Sequence, residues 1–383
     1  MARKIPALRE MIAQLVATLS VSSSTPGLDV GNAEVNALLA GWCESLGFRT
    51  RLLPVPGKPG HVNLIATLGR GTDGLVLAGH TDTVPFDPHL WQSDPLALTE
   101  HEGRLTGLGI ADMKAFFAFV LDAVESIDPA RLGAPLTLIA TADEEAGMTG
   151  ARALTSLREY GRHVVIGEPT GGVPVRMHKG NMMHRLILIG QSGHSSDPSL
   201  GRNALDGMHA VMTDLMAFRQ SLQNQYRHAG FSVPVPTLNL GCIHGGDNPN
   251  RICGHCELSF DFRLLPGMNG VEIRERIRER AVQVAHAHGL EARLDVIMDV
   301  VPGMETPADA AIVLAAERIS AQPAQAVSFT TEGPFYRAQG MDVVIMGPGD
   351  IACAHQPGEH LSVARINQTT RHLQALIGDF CLS

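Results

Sequence analysis

The stretch GLVLAGHTDTVP, residues 74–85, sets the reading of the fold. Leu75 to Ala78 form an apolar run of the kind a sheet buries, and the run stops abruptly at His80, Thr81, Asp82 and Thr83. A strand that ends in imidazole and carboxylate is either running into a solvated turn or delivering groups to an active site. The rest of the chain separates these readings.

Short apolar strands on either side of this run (VNLIATL, APLTLIAT, HVVIGEP) alternate with helical stretches such as DMKAFFAFVLDAVESI and TGARALTSLREY up to about Val175. That alternation predicts an α/β sheet with helices on its faces, and ligand sites in such sheets lie beyond the carboxyl ends of the strands. A middle block follows, with HRLILIGQSG, a long helix starting near Asn203, PTLNLGCIHGG, CELSFDFRLLPG and the amphipathic GVEIRERIRERAVQVAHAHG. It reads as a compact α+β module with its own sheet. From about Val301 the chain returns to α/β character with MDVVIMGPGD and a closing helix near Arg365 to Phe380. The expected architecture is one α/β domain, residues 1–178 and 300–383, interrupted by an inserted α+β domain, residues 179–299.

Composition limits the function classes. At 383 residues, 44% hydrophobic and 18% charged, the chain can bury a sizeable core, and a formal net charge of -9 argues against a nucleic-acid partner, which needs clustered lysine and arginine. MARKIPALREMIAQLVATLS, residues 1–20, mixes charge into an amphipathic pattern unlike a signal peptide, and no run approaches the ~20 apolar residues of a membrane span. A cytoplasmic protein with no membrane partner is expected. The cysteines at 43, 242, 253, 256, 353 and 381 are too scattered for a disulfide framework and are expected to be reduced. Cys253 and Cys256 form a CxxC in RICGHCELSFDFR, but the segment reads as one strand, which would point the two thiols to opposite faces.

A second motif is a decoy. GRGTDG, Gly69 to Gly74, matches the dinucleotide fingerprint GxGxxG, yet that motif requires a helix to open after the glycines. LVLAGH follows instead, so a nicotinamide oxidoreductase loses its support. The glycines read as the turn of a hairpin.

Acid and imidazole groups recur at the strand ends or the turns after them: His80 and Asp82, Asp112 in GLGIADMK, Glu144 and Glu145 in TADEEAGMTG, Glu168 in IGEPT, and His355 in ACAHQPGEH. Taken singly, each has a structural explanation, such as a helix cap or a solvated turn. Taken together, two histidines and several carboxylates at one sheet edge make the nitrogen and oxygen ligand set that zinc accepts, and two ions could share one bridging carboxylate. Asp82, two residues after His80, would accept the other imidazole proton and fix the tautomer.

GHTDTVP, GLGIADMKAFFAF, ATADEEAGMTGAR, IGEPT, QSGHSSDP and AHQPGEHL, in order along nearly the whole chain, resemble the dizinc aminoacylase and carboxypeptidase family of metallopeptidases. VRMHKG, PTLNLGCIHGGD and GPGDIACAHQP add a resemblance to its deacetylase branch. The resemblance implies a zinc-peptidase-like catalytic domain with helices on both faces of a mixed sheet, interrupted by a ferredoxin-like lid and dimerisation domain. It implies two zinc ions, replaceable by cobalt, with Asp112 bridging, His80 and Glu168 completing one site, Glu145 and His355 the other, and Glu144 as general base. Where the family often has Gly-Arg-Gly before the bridging aspartate, this chain has Leu108 between the glycines, as the deacetylase branch does; Ala115 replaces the usual glycine after Lys114.

The expected chemistry is hydrolysis of an N-acyl amino acid. Glu144 takes a proton from an acidified water and returns it to the leaving amine. The oxyanion needs a donor from outside the metal cluster, and His194 in SGHSSDP resembles the family histidine that a homodimer partner presents. Arg263 in FDFRLLPG and Asn250 in DNPNRI occupy places that resemble substrate contacts, a forked guanidinium being the natural partner of a carboxylate. A side-chain ammonium on the substrate would need an acidic pocket, for which Glu332 in TTEGPF is a candidate. The alternatives are a relative acting on another N-acyl amino acid, on N-succinyl-diaminopimelate or on a dipeptide, and a non-catalytic interaction protein on the same scaffold.

Overall fold

The computed structural model describes residues 4–25 and 27–383, so the first three residues of the amphipathic N-terminal pattern lie outside the described residues. The chain divides into two compact units. The larger takes the chain up to Arg176 together with Thr306–Gln325 and Thr331–Ser383; the smaller is Met177–Glu305 with Ala326–Thr330.

Among the described residues of the larger unit, strands run side by side in the order Arg49–Pro54, Val62–Leu68, Leu136–Thr141, Leu75–His80, His163–Ile166, Asp342–Ile345. The first three pair antiparallel, and the last four are mutually parallel, so the sheet is mixed. Leu75–His80, Leu136–Thr141 and His163–Ile166 are buried at every position. A parallel sheet covered on both faces imposes this, and it explains why these strands are continuous apolar runs rather than alternating ones. Leu75 and Leu77, Leu136 and Leu138, Val165 and Val344 share one hydrophobic cluster with the helices Leu8–Ala17, Ala33–Ser45, Ala115–Glu125, Ala311–Ser320 and Ile366–Cys381. AFFAFVLDAVE is apolar almost all round because it is buried almost all round.

Two local expectations are corrected here. GRGTDG is not a hairpin turn: Leu136–Thr141 lies between Val62–Leu68 and Leu75–His80, antiparallel to one and parallel to the other, so the glycines carry the chain across a third strand. A Cβ at Gly74 would stand 1.7 Å from the carbonyl oxygen of Pro135, which the crossing brings against it. TGARALTSLREY is not one helix. Thr149–Ala153 stops at Leu154, whose backbone is extended, and Leu157–Glu159 forms a separate short turn after Ser156, whose φ is 57°.

The smaller unit runs β-α-β-β-α-β. Its antiparallel sheet has the order Thr237–Gly245, His255–Leu264, Gly180–Ile189, Glu291–Val301, with the helices Ala204–Gln225 and Gly270–Ala287. Strict alternation in HCELSFDFRL turns Cys256, Leu258, Phe260, Phe262 and Leu264 into the core. Asn203 and Asn269 cap the two helices, accepting the N–H of Leu205 at 3.0 Å and of Glu272 at 3.2 Å. The strand Glu291–Val301 belongs whole to this unit, past the expected boundary at 299, and Ala326–Thr330 returns to it. The CxxC is also corrected: the strand begins at His255, so Cys253 precedes it, and both Cys253 and Cys256 turn into the core rather than to opposite faces.

Candidate metal centre

The four parallel strands end at one edge of the larger unit's sheet, and each hands over polar groups there. His80 ends its strand, Glu144 and Glu145 follow Leu136–Thr141, Glu168 follows His163–Ile166, and His355 lies in the segment after Asp342–Ile345. Asp112 arrives from the loop before the helix Ala115–Glu125 and lies among them. Its Oδ1 is 3.0 Å from His80 Nε2 and its Oδ2 is 3.3 Å from His355 Nε2. His355 Nε2 also stands 3.0 Å from Glu145, and His80 Nε2 3.8 Å from Glu168 Oε1.

Ligand atoms of His80, Glu144 and Glu168 form one group within 4.8 Å, and those of His80, Asp112 and Glu145 form a second. Two ligand atoms on one tetrahedral zinc stand about 3.3 Å apart, given bonds of about 2.0–2.1 Å. The observed spacings of 3.0 to 3.8 Å bracket that value. The donors are imidazole nitrogen and carboxylate oxygen, suited to zinc and its divalent neighbours.

Electrostatics point the same way. Burial, then the charge of Glu168, pushes the Glu144 carboxyl well above its ordinary range; burial and the charge of Asp112 do the same for Glu168. Glu145 is raised by burial and by Asp112. Hydrogen bonds that His355 donates to Asp112 and Glu145 push its imidazole up to about 11. So many carboxylates crowded into low dielectric favour cations, and the residues present fit a pair of divalent ions.

Two residues around this cluster act differently from what the sequence implied. Asp82 lies beside His80, but the nearest acceptor for His80 Nδ1 is the backbone carbonyl of Asp82, at 3.0 Å, with the carboxylate oxygen at 3.6 Å. The Asp82 carboxylate is turned to the backbone, accepting the N–H of Glu144 at 3.2 Å on Oδ1 and of Glu145 at 3.1 Å on Oδ2. Burial alone would raise this group; the nearby His80 imidazole and the N–H of Glu145 carry it below the ordinary carboxylate range. Glu332 is fully buried, with Oε2 taken by the Thr141 hydroxyl at 2.6 Å and Oε1 by the Tyr336 hydroxyl at 3.0 Å. It packs behind the strand end that leads to Glu144, which corrects its assignment as a substrate contact.

Glu359 went unassigned in the sequence. It is buried, and its carboxylate accepts three backbone N–H groups of the Asp112 loop: Gly109 at 3.0 Å, Ala111 at 2.7 Å and Asp112 at 3.0 Å. Its signal was an acid four residues past His355 inside AHQPGEHL, which local pattern cannot tell from a surface glutamate.

His194, Asn250 and Arg263 belong to the smaller unit. The structure brings the first two together, with Ser195 N–H donating to the Asn250 carbonyl at 3.1 Å and His194 bridging to Arg251. His194 Nδ1 accepts the backbone N–H of Ser196 at 3.2 Å, which places the proton of the neutral ring on Nε2. Arg263 lies on the next strand, its Nε donating to Asp261 at 3.0 Å.

The family model described as peptidase family M20/M25/M40 matches residues 76–379, and the chain belongs to that family. Within it, acetylornithine deacetylases of Pasteurella multocida and Proteus mirabilis are each 44% identical to this chain, over 380 and 383 residues, covering 99% of it and 99% and 98% of their own lengths. Solved structures share the fold. Aminopeptidase PepT of Bacillus cereus matches with TM-score 0.77 at 21% identity over 97% of each chain, and an M20 family metallo-carboxypeptidase of Sulfolobus solfataricus with TM-score 0.74 at 18% identity over 97% of this chain and 99% of that one. Among the described residues, no helix is long and apolar enough to cross a membrane.

Proposed function

We propose that this chain is a metal-dependent amidohydrolase that removes the acetyl group from N2-acetyl-L-ornithine, giving L-ornithine and acetate in cytoplasmic arginine biosynthesis. The observation that carries the reading is the seating of Asp112 between His80 and His355, with Glu144 in the adjoining group of ligand atoms. The near full-length similarity to acetylornithine deacetylases supports the choice of substrate.

His80 and Glu168 would hold one ion, Glu145 and His355 the other, and Asp112 both. Two bound zinc or cobalt ions supply an acidified water and polarise the amide carbonyl. Glu144 takes the proton of the attacking water and delivers it to the amide nitrogen as the carbon–nitrogen bond breaks, leaving the free amine and acetate. Asp82 and Glu359 are positioning residues: one fixes the backbone that carries Glu144 and Glu145, the other the loop that carries Asp112. His194, with its proton on Nε2, is the donor we assign to the oxyanion, reaching the active site of the other subunit in a homodimer. Arg263 and Asn250 are the contacts we assign to the substrate carboxylate.

The test is amine release after reconstitution with zinc or cobalt, comparing N2-acetylornithine with other acetylated amino acids, N-succinyl-diaminopimelate and dipeptides. N2-acetylornithine should have the highest kcat/KM. A higher value for the succinyl compound or a dipeptide would overturn the assignment.

A further inference from the structure

The turn that carries Glu144 has an uncommon backbone. Asp143, the residue before it, lies in the left-handed region with φ 60°, which residues other than glycine rarely adopt. Asp143 is fully buried, and its carbonyl accepts the N–H groups of Gly147 at 3.0 Å and Met148 at 2.5 Å, closing the turn. Its carboxylate Oδ2 takes the Thr149 hydroxyl at 2.5 Å and the Thr149 N–H at 3.3 Å. The other oxygen, Oδ1, accepts Lys58 Nζ at 2.9 Å.

Lys58 comes from a different part of the sheet. It stands in PGKPGH, residues 56–61, between the strands Arg49–Pro54 and Val62–Leu68. That loop is closed on itself: Val55 N–H donates to the His61 carbonyl at 2.9 Å, Lys58 N–H to the Val55 carbonyl at 3.2 Å, and His61 N–H to the Lys58 carbonyl at 3.2 Å. The Lys58 side chain is 27% exposed and lies 3.9 Å from a second carboxylate, Asp29, so Asp143 is the nearer partner.

The Glu144 carboxylate accepts no hydrogen bond among the described residues, so its aim depends on the main chain behind it. The peptide joining Asp143 to Glu144 is held at two points. Asp82 takes its N–H, and the Asp143 side chain anchors the residue on its other side. A buried carboxylate that loses its cationic partner is strongly destabilised, and Asp143 can relieve this by leaving the left-handed conformation, which rotates that peptide. Glu145 has a separate anchor, its carboxylate lying 3.0 Å from His355. We propose that Lys58 is a positioning residue for the general base: through Asp143 it holds the turn that aims Glu144, without touching substrate or metal. The inference rests on the amidohydrolase reading with Glu144 as base.

The test uses the full-length, metal-loaded chain and N2-acetylornithine. Lys58→Met, which keeps the stem and removes the charge, should lower kcat by ~10- to 100-fold, the scale of a misplaced reacting group, with KM and metal content unchanged. Lys58→Arg, which keeps a donor for Asp143, should recover most of that rate. Adding Asp143→Asn to Lys58→Met removes the stranded buried charge, so the double variant should also be slow but lose no more than Lys58→Met alone. Circular dichroism checks the fold, and the double variant decides the question if Lys58→Met does not fold. Wild-type kcat in either variant overturns the positioning role and leaves the amidohydrolase reading standing. A raised KM at unchanged kcat would put Lys58 on the substrate and overturn it as well, as would loss of metal. Failure of the wild-type chain to release amine from any N-acyl amino acid overturns both readings.

Discussion

Glu359 accepts the backbone N–H of Asp112 at 3.0 Å, on the same carboxylate oxygen that takes the N–H of Ala111 at 2.7 Å. The residue placed between the two histidines is thus held through its main chain by an acid 247 positions further along. Glu359→Gln replaces one acceptor oxygen with an amide NH2 group that can only donate, against N–H groups that also donate. The variant should bind metal ~10- to 100-fold more weakly, the usual effect of disturbing a group that orients a ligand, as measured by competition with a chelator. Wild-type affinity would remove Glu359 from this role.

Adjacent glutamates separate base from ligand. Glu144→Gln should keep its metal content yet lose ~10²-fold or more in kcat, the scale of general acid–base catalysis. Glu145→Gln, which alters a group 3.0 Å from His355, should instead lose metal. Equal metal content and equal rates in both variants would show that the assignment is wrong.

Metal dependence has its own signature at His355, whose side chain is 51% exposed while that of His80 is 1% exposed. Chelation should abolish activity, and zinc or cobalt should restore it. His355→Ala should retain about one ion per chain by elemental analysis, because His80, Glu168 and Asp112 remain. Loss of both ions together would contradict two separable sites.

Acid stability reports on His178 in the smaller unit. It is fully buried, and burial drives its pKa down from 6.5 to about 4 against the raising effect of its 2.8 Å bond to the Lys179 carbonyl. Between these values the unfolded chain binds a proton that the folded chain refuses, so stability is present above pH 6.5 and falls as the pH drops toward 4, by roughly 3 kcal/mol for a group so depressed. His178→Gln, which keeps a donor for that carbonyl, should unfold less steeply with acid over this interval when followed by circular dichroism. An unchanged pH slope would show that His178 does not carry the effect.

Much of the larger unit's layout was legible because burial on both faces writes itself into sequence as unbroken apolar runs. LVLAGH, LTLIAT and HVVI need no partner to be recognised as strands; His80 ends the first, and Glu144 and Glu168 stand two or three residues beyond the others. Parallel strands put those ends on one edge, so a reading of single strands was enough to gather the candidate ligands.

What the sequence by itself determined was therefore local: which segments are strands, and which polar groups sit at their ends. Only the tertiary structure decided the long-range pairings. The strand Leu136–Thr141 inserts between two strands that are neighbours in the chain, so the glycines at 69–74 could not reveal that they cross it. Asp82 turns its carboxylate to the N–H groups of Glu144 and Glu145, and Glu332 disappears beneath Thr141 and Tyr336. Glu359 finds its three donors near Asp112. Each outcome follows from the same physical requirement: a buried carboxylate must find hydrogen-bond donors, and the donors within reach are set by how distant segments pack rather than by the residues next to it in the chain.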